Sequence, residues 1–250
     1  MTSKIAASGL VFLGLLAVLG GFDGYNMWKI SRELPLWGFI YGYALLFSVA
    51  VDALLYKLKK GPSKMAVTVL LYILGGYVPL LYWFQSPWYM SLIAGAYGVA
   101  CALVYLAAAY LFRRWWPYST AAAILLLAVA IYVSTSDFTV TKQWVETRTA
   151  DSYYAEFDYF NGKKEIPISL DAGQTLTYQV DWQITNGGGY GMYLDAEDGA
   201  IGTYIQEPGS GTEQISYRVE RPSTVQIVVT GNRAQGAVTV TWQITGPGDE

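Results

Sequence analysis

The sequence predicts a membrane α-helical bundle of about five transmembrane helices followed by an all-β antiparallel sandwich of jelly-roll-like form. Two observations carry this. The first half is almost free of charge and broken into long apolar runs. The second half is polar, acidic, and alternates apolar with polar residues. Of 250 residues, 53% are hydrophobic and 14% charged, against about 25% charged in an ordinary soluble domain. Residues 1–136 hold nine Lys and Arg against three acids, whereas 137–250 are acidic enough to bring the whole chain to −3. A basic apolar half joined to an acidic polar half is two modules, with the boundary at 136/137. The acidic tail argues against a nucleic-acid partner, which needs concentrated Lys and Arg.

The helices are expected at about 5–22, 36–56, 66–84, 88–112 and 118–136. Each approaches the ~20 residues that cross ~30 Å of hydrocarbon. The first is read as a retained helix rather than a signal peptide, because Val18 and Gly20 make a poor cleavage site after Lys4. Pro35, Pro62, Pro87 and Pro117 fall in or beside the connections, where a missing N–H costs little. Orientation follows from the short loops. Lys4, Lys57, Lys59, Lys60, Lys64, Arg113 and Arg114 lie at one end, and only Lys29 and Arg32 at the other. Positive residues stay inside, so the N-terminus is expected in the cytoplasm and the region after Ser134 outside it. Trp28, Trp37, Trp83 and Trp88 mark the outer boundary, and Trp115 and Trp116 the inner one. Cys101 is the single cysteine and there is no histidine. An exported region without disulfides points to a Gram-positive bacterial cell envelope.

From Phe138 the period becomes that of a strand. Leu176, Tyr178, Val180, Trp182 and Ile184 alternate with Thr177, Gln179, Asp181 and Gln183, the pattern of a strand buried on one face. Val238, Val240, Trp242 and Ile244 repeat it, as do Ile215, Tyr217 and Val219, and Val225, Ile227 and Val229. Turns are expected at Asn161-Gly162, Ala172-Gly173, Asn186 to Gly189, Asp198-Gly199, Pro208 to Gly211 and Gly231-Asn232. This spacing predicts about eight or nine strands in a sandwich, with Trp182 and Trp242 in its core. Tyr153, Tyr154, Phe157, Tyr159 and Phe160 are expected to fill the junction with the membrane half.

The runs Ile166-x-Ile168-x-Leu170-x-x-Gly173-x-x-Leu176, Gly191-Met-Tyr-Leu194-Asp-x-Glu-Asp-Gly199 and Val225-x-Ile-Val-Val-x-Gly231 resemble the small jelly-roll domains of bacterial pre-peptidase C-terminal and GOLD-like type over residues 160–245. That resemblance implies a non-catalytic binding or accessory module.

The absence of histidine excludes a Ser-His-Asp triad, a histidine-containing zinc site and an imidazole base. No phosphate-binding or dinucleotide-binding glycine motif occurs. The chain is therefore expected to be non-enzymatic and without a cofactor, a carboxylate-only or Ser-Lys enzyme being the remaining catalytic option. Asp52 is the one acid inside an apolar run and shares an i, i+4 row with Ala44 and Ser48. Acids at membrane depth mark ion paths; alternatively Asp52 reaches the interface beside Lys57. Gly38 and Gly42 form one small-residue row, and Ala94, Gly98 and Ala102 another, suited to close helix packing within the chain or to a dimer. Gly75, Gly76 and Pro79 are expected to kink the third helix. Asp195 to Gly199 is read as a hairpin turn, since its spacing is wrong for a calcium loop. The expected partners are the lipid bilayer and other membrane or envelope proteins or a glycan. The alternative role is a small transporter or channel component using Asp52 and the third helix.

Overall fold

The structure, a computed structural model, describes residues 1–58, 61–83, 88–196, 203–205 and 214–246, without the side chains of 82, 83, 203–205 and 214. The chain divides into two compact units, Met1–Asp137 and Phe138–Glu250.

The first unit is helical. Its elements are α1 (Thr2–Gly20), α2 (Gly24–Glu33), α3 (Trp37–Leu54), α4 (Pro62–Trp83), α5 (Trp88–Arg114) and α6 (Trp116–Thr135). All except α2 are long and apolar enough to cross a membrane, which supports a multi-pass membrane protein. α1 sits at the centre, packed against α2, α3, α5 and α6, while α4 packs mainly on α5. The directions follow from contacts along α1. Thr2 Oγ1 lies 3.1 Å from Ser119 Oγ at the start of α6. Lys4 meets the end of α3 at Ser48 and Asp52, Ser8 donates to Ile40 O at 3.3 Å, and Phe12 packs on Trp37 near its start. α1 and α3 are thus antiparallel. Trp37 Nε1 donates to Ser134 Oγ at 3.3 Å near the end of α6, so α1 and α6 run the same way.

Two helical features depart from expectation. Residues 24–33 form a short amphipathic helix rather than a loop. Asp23 caps it by accepting from Asn26 N at 3.0 Å, as an N-cap acid does. Trp28 is buried on its inner face beneath Arg32, and Trp37 is half-buried in the bundle core. Both rings are covered by neighbouring side chains rather than free on the surface. Trp88, Trp115 and Trp116 are exposed; the Trp83 side chain lies outside the described residues. The second departure is the opening of α3, Trp37–Ala44, which is π-helical. Such wider turns concentrate at functional sites. α4 runs on through Pro79.

The second unit is an open antiparallel sheet of eight described strands: β1 (Val140–Lys142), β2 (Val145–Arg148), β3 (Ser152–Leu170), β4 (Thr175–Ile184), β5 (Gly189–Asp195), β6 (Thr203–Ile205), β7 (Gln214–Arg218) and β8 (Ser223–Thr245). The order is β1-β3-β8-β4-β7-β6, with β2 also on β3 and β5 also on β8. β3 and β8 are long enough to serve both layers. The second half of β8 pairs with β4 and its first half with β5. On β3 the buried phase flips from Tyr153, Ala155 and Phe157 to Ile166, Ile168 and Leu170, and on β8 from Val225, Ile227 and Val229 to Val238, Val240 and Trp242. Register shifts between Phe157 and Gly162 absorb the change, as bulges do. Both halves contribute to one buried cluster, which makes the bent sheet a sandwich.

The expected turns at Asn161-Gly162 and Gly231-Asn232 are therefore corrected: both lie within continuous strands, at the bends. Gly162 adopts φ +148°, and a Cβ there would meet Thr139. The Gly173 turn (φ +82°) joins β3 to β4, and the Asn186 loop joins β4 to β5. The Asp198-Gly199 and Pro208 to Gly211 turns lie outside the described residues. A second correction concerns the aromatic run. Alternation along β3 sends Tyr153, Phe157 and Phe160 into the sandwich's own core, where Trp144 stacks on Phe157 at 5.1 Å, rather than to a membrane junction.

Candidate functional site

The chemistry of the helical unit concentrates where α1, α3, α4, α5 and α6 meet at one end. Lys4, one turn into α1, is largely enclosed. Its ammonium lies 2.8 Å from Asp52 Oδ2 and donates to Ser48 O at 2.7 Å. The Asp52 side chain is 60% exposed, so the pair is a partly solvated one of modest strength. Its partner is Lys4, because antiparallel packing sets the first turn of α1 beside the last turn of α3. Ser48 is buried and accepts from Tyr72 Oη of α4 at 2.7 Å. Tyr105 of α5 stacks 6.2 Å from Tyr72.

Lys4, Ser48, Asp52 and Tyr72 line a polar vestibule of about 470 Å³ with Thr2, Tyr110, Arg113 and Ser119. Deeper between α1, α3, α4 and α5 lies a second cavity of about 150 Å³. It is apolar, floored by Gly75, Gly76 and Gly98, and walled by Val11, Phe47, Pro79 and Cys101. Tyr72 borders both cavities.

The two small-residue rows behave differently. Gly98 touches Gly76 of α4, where any Cβ would strike backbone, and Ala102 lies beside the same glycine. Ala94 is half-buried one residue before Gly95, on which Tyr77 of α4 packs. That row packs α5 on α4. A Cβ added at Gly38 or Gly42 meets nothing within 4 Å, so among the described residues this pair packs no helix of the chain. The π-helical turn in which both lie changes the spacing on which an i, i+4 row depends. The row Tyr97, Cys101 and Tyr105 lines the apolar cavity. Gly76, which lets α4 approach α5, was legible only as part of a kink.

In the sandwich, Trp242 is buried, donates from Nε1 to Ala150 O at 3.1 Å, and lies 5.8 Å from the Arg148 guanidinium. Trp182 is half-buried against the core and tilts on exposed Tyr190 at 5.3 Å. The β4–β5 corner beside them is laced by Asn186, which accepts from Gln235 N and donates to Arg233 O. Asp195 ends β5; residues 197–199 of the proposed hairpin turn lie outside the described residues.

Comparison with known proteins adds little. No family model and no curated protein matches the chain. Among solved structures, it is similar to flavohemoglobin from Malassezia yamatoensis with bound FAD and heme, at 13% identity and a TM-score of 0.17. The match covers 93% of this chain and 60% of that one, and at that score it carries no argument.

Proposed function

We propose that the protein is a non-enzymatic multi-pass membrane protein of the cell envelope. Its helices anchor it, and its β-sandwich binds a partner protein or glycan outside the cytoplasm. The observation that carries this reading is the shared direction of α1 and α6. Thr2 and Ser119 meet at one end of the bundle and Trp37 and Ser134 at the other, so the chain leaves the bundle opposite its N-terminus. Lys4 and Arg113 line the vestibule at the first end, and Lys64 there donates to Leu55 O at 2.6 Å. A cationic end faces the cytoplasm, which directs the acidic sandwich outward. The Trp182–Tyr190 pair supports a recognition role, because exposed aromatic rings stack on sugars and anchor protein partners. The resemblance to pre-peptidase C-terminal and GOLD-like modules supports an accessory rather than catalytic role.

The test uses reporter fusions and capture. Fusions after Arg114 should report cytoplasm, and fusions after Asp151 the outside. Cross-linking in intact cells should recover an envelope neighbour or wall glycan from the wild type and lose it with Tyr190→Ala. A cytoplasmic sandwich would overturn the proposal. The polar vestibule favours a second reading, a small transporter or channel component. It predicts that Asp52→Asn abolishes function at normal membrane abundance.

A further inference from the structure

The two cavities of the bundle are ordered by polarity along the helix axes. The vestibule at the Lys4 end is lined by hydroxyls and charges beside Leu106, Ala109 and Trp116. Among its groups, Asp52 is neutralised by Lys4, and Arg113 makes no ion pair among the described residues. The vestibule therefore carries a net positive charge suited to an anion. Arg is the side chain that best matches phosphate oxygens. The second cavity starts at Tyr72 and extends along α4 to Pro79 and Leu80, roughly 10 Å at 1.5 Å per residue. Its lining is apolar, and the exposed rings of Tyr43 and Tyr97 stand on its wall, so its mouth faces the outside of the bundle. In a bilayer that outside is hydrocarbon. Apolar cavities of this size stay dry and accept hydrocarbon.

A polar, cationic chamber at the Lys4 end and an apolar chamber beyond it, with Tyr72 on the wall of both, together have the polarity of a lipid. We propose that the bundle holds one anionic phospholipid from the leaflet at the Lys4 end. Its phosphate headgroup lies by Arg113 and Lys4, and the end of one acyl chain enters the apolar cavity past Tyr72. Gly75, Gly76 and Gly98 line that chamber with backbone, where they pack against Phe47 and each other, and add no side chain to it. The Ser48–Tyr72 hydrogen bond sets the narrow point between the chambers. This site is independent of what the sandwich binds.

Cys101 lines the apolar cavity and is the only thiol in the chain, so it reports occupancy directly. The intact protein in dodecyl maltoside is labelled with a membrane-partitioning maleimide, alone and with phosphatidylglycerol, phosphatidylcholine or inorganic phosphate. Labelling should be about fivefold slower with phosphatidylglycerol than with phosphatidylcholine, the size expected of one basic residue meeting an anionic headgroup. Arg113→Gln, at an exposed position, should erase that difference. Inorganic phosphate alone should not protect. Ala44→Phe, which fills the cavity, should remove the phosphatidylglycerol adduct from the native mass spectrum of the whole protein. Equal protection by both lipids, protection by phosphate alone, an unchanged Arg113→Gln variant, a retained adduct in Ala44→Phe, or no labelling in detergent alone would each overturn the proposal.

Discussion

Trp242 and Trp182 occupy similar sequence contexts, yet their surroundings differ. Trp242 buries its ring and satisfies its indole N–H on Ala150 O. Truncating it removes core packing, and Trp242→Ala is expected to cost about 3–5 kcal/mol. Trp182 is half-buried and shares its ring face with Tyr190, so Trp182→Ala should cost about 1–2 kcal/mol. Thermal melts of the fragment 138–250 would separate the two, and equal losses would place Trp182 as deep as Trp242. Glu146 makes the other prediction at this scale. Its Oε2 accepts from Lys164 Nζ at 2.7 Å, Tyr153 Oη at 2.6 Å and Trp144 Nε1 at 2.7 Å. Lys164 first, then the two other donors, hold the carboxyl down from the usual 4.5 to about 2. A depressed carboxylate stabilises the fold above its ordinary value and loses that contribution as pH falls from about 4.5 to about 2. The side chain is 43% exposed, so solvent screening keeps the effect small. The gap in urea midpoint between wild type and Glu146→Gln should therefore be present at pH 6 and close towards pH 2. A gap unchanged across that range would remove the charge from the explanation.

At the scale of elements, close approach separates the two small-residue rows. Gly98→Ala places a methyl against the Gly76 backbone, and forced overpacking costs about 1–3 kcal/mol. Gly42→Ala meets open space and should be neutral as judged by melting of the detergent-solubilised protein. A destabilised Gly42→Ala would instead point to a neighbour outside the chain. Apolar length and alternation made the helices and most strands legible, because both periods are set by local geometry. The bends of β3 and β8 were not. Glycine beside asparagine reads as a turn, and only the pairing of Phe160 with Ala234 and of Gly162 with Gly231 shows that the strands continue through it. Helix α2 was legible in part. Asp23 followed by Tyr25 and Trp28 at helical spacing is an N-cap and an inward face, but the segment is too short and polar to register as a span.

At the scale of the molecule, the pairing of Lys4 with Asp52 and of Ser48 with Tyr72 joins residues 48 and 24 positions apart. No local pattern announces them, so Asp52 and Ser48 stood out in the sequence while the vestibule did not. Because residues 138–250 form their own compact unit with their own core, that fragment should fold alone as a β-rich monomer without reductant or metal. A requirement for calcium, read by circular dichroism with and without chelator, would overturn this.

The place of β8 also governs how the sandwich comes into being. It is the last of the described strands and the one against which β3, β4 and β5 all pair. While a ribosome is still making it, the earlier strands have no central neighbour and cannot assemble their shared core. Synthesis therefore delivers β1, β2 and β3 on one side and β4, β6 and β7 on the other as separate pairings with no strand between them. The shared core can close only once β8 is available, so the order of the strands itself delays completion of the fold until the end of the domain has been made.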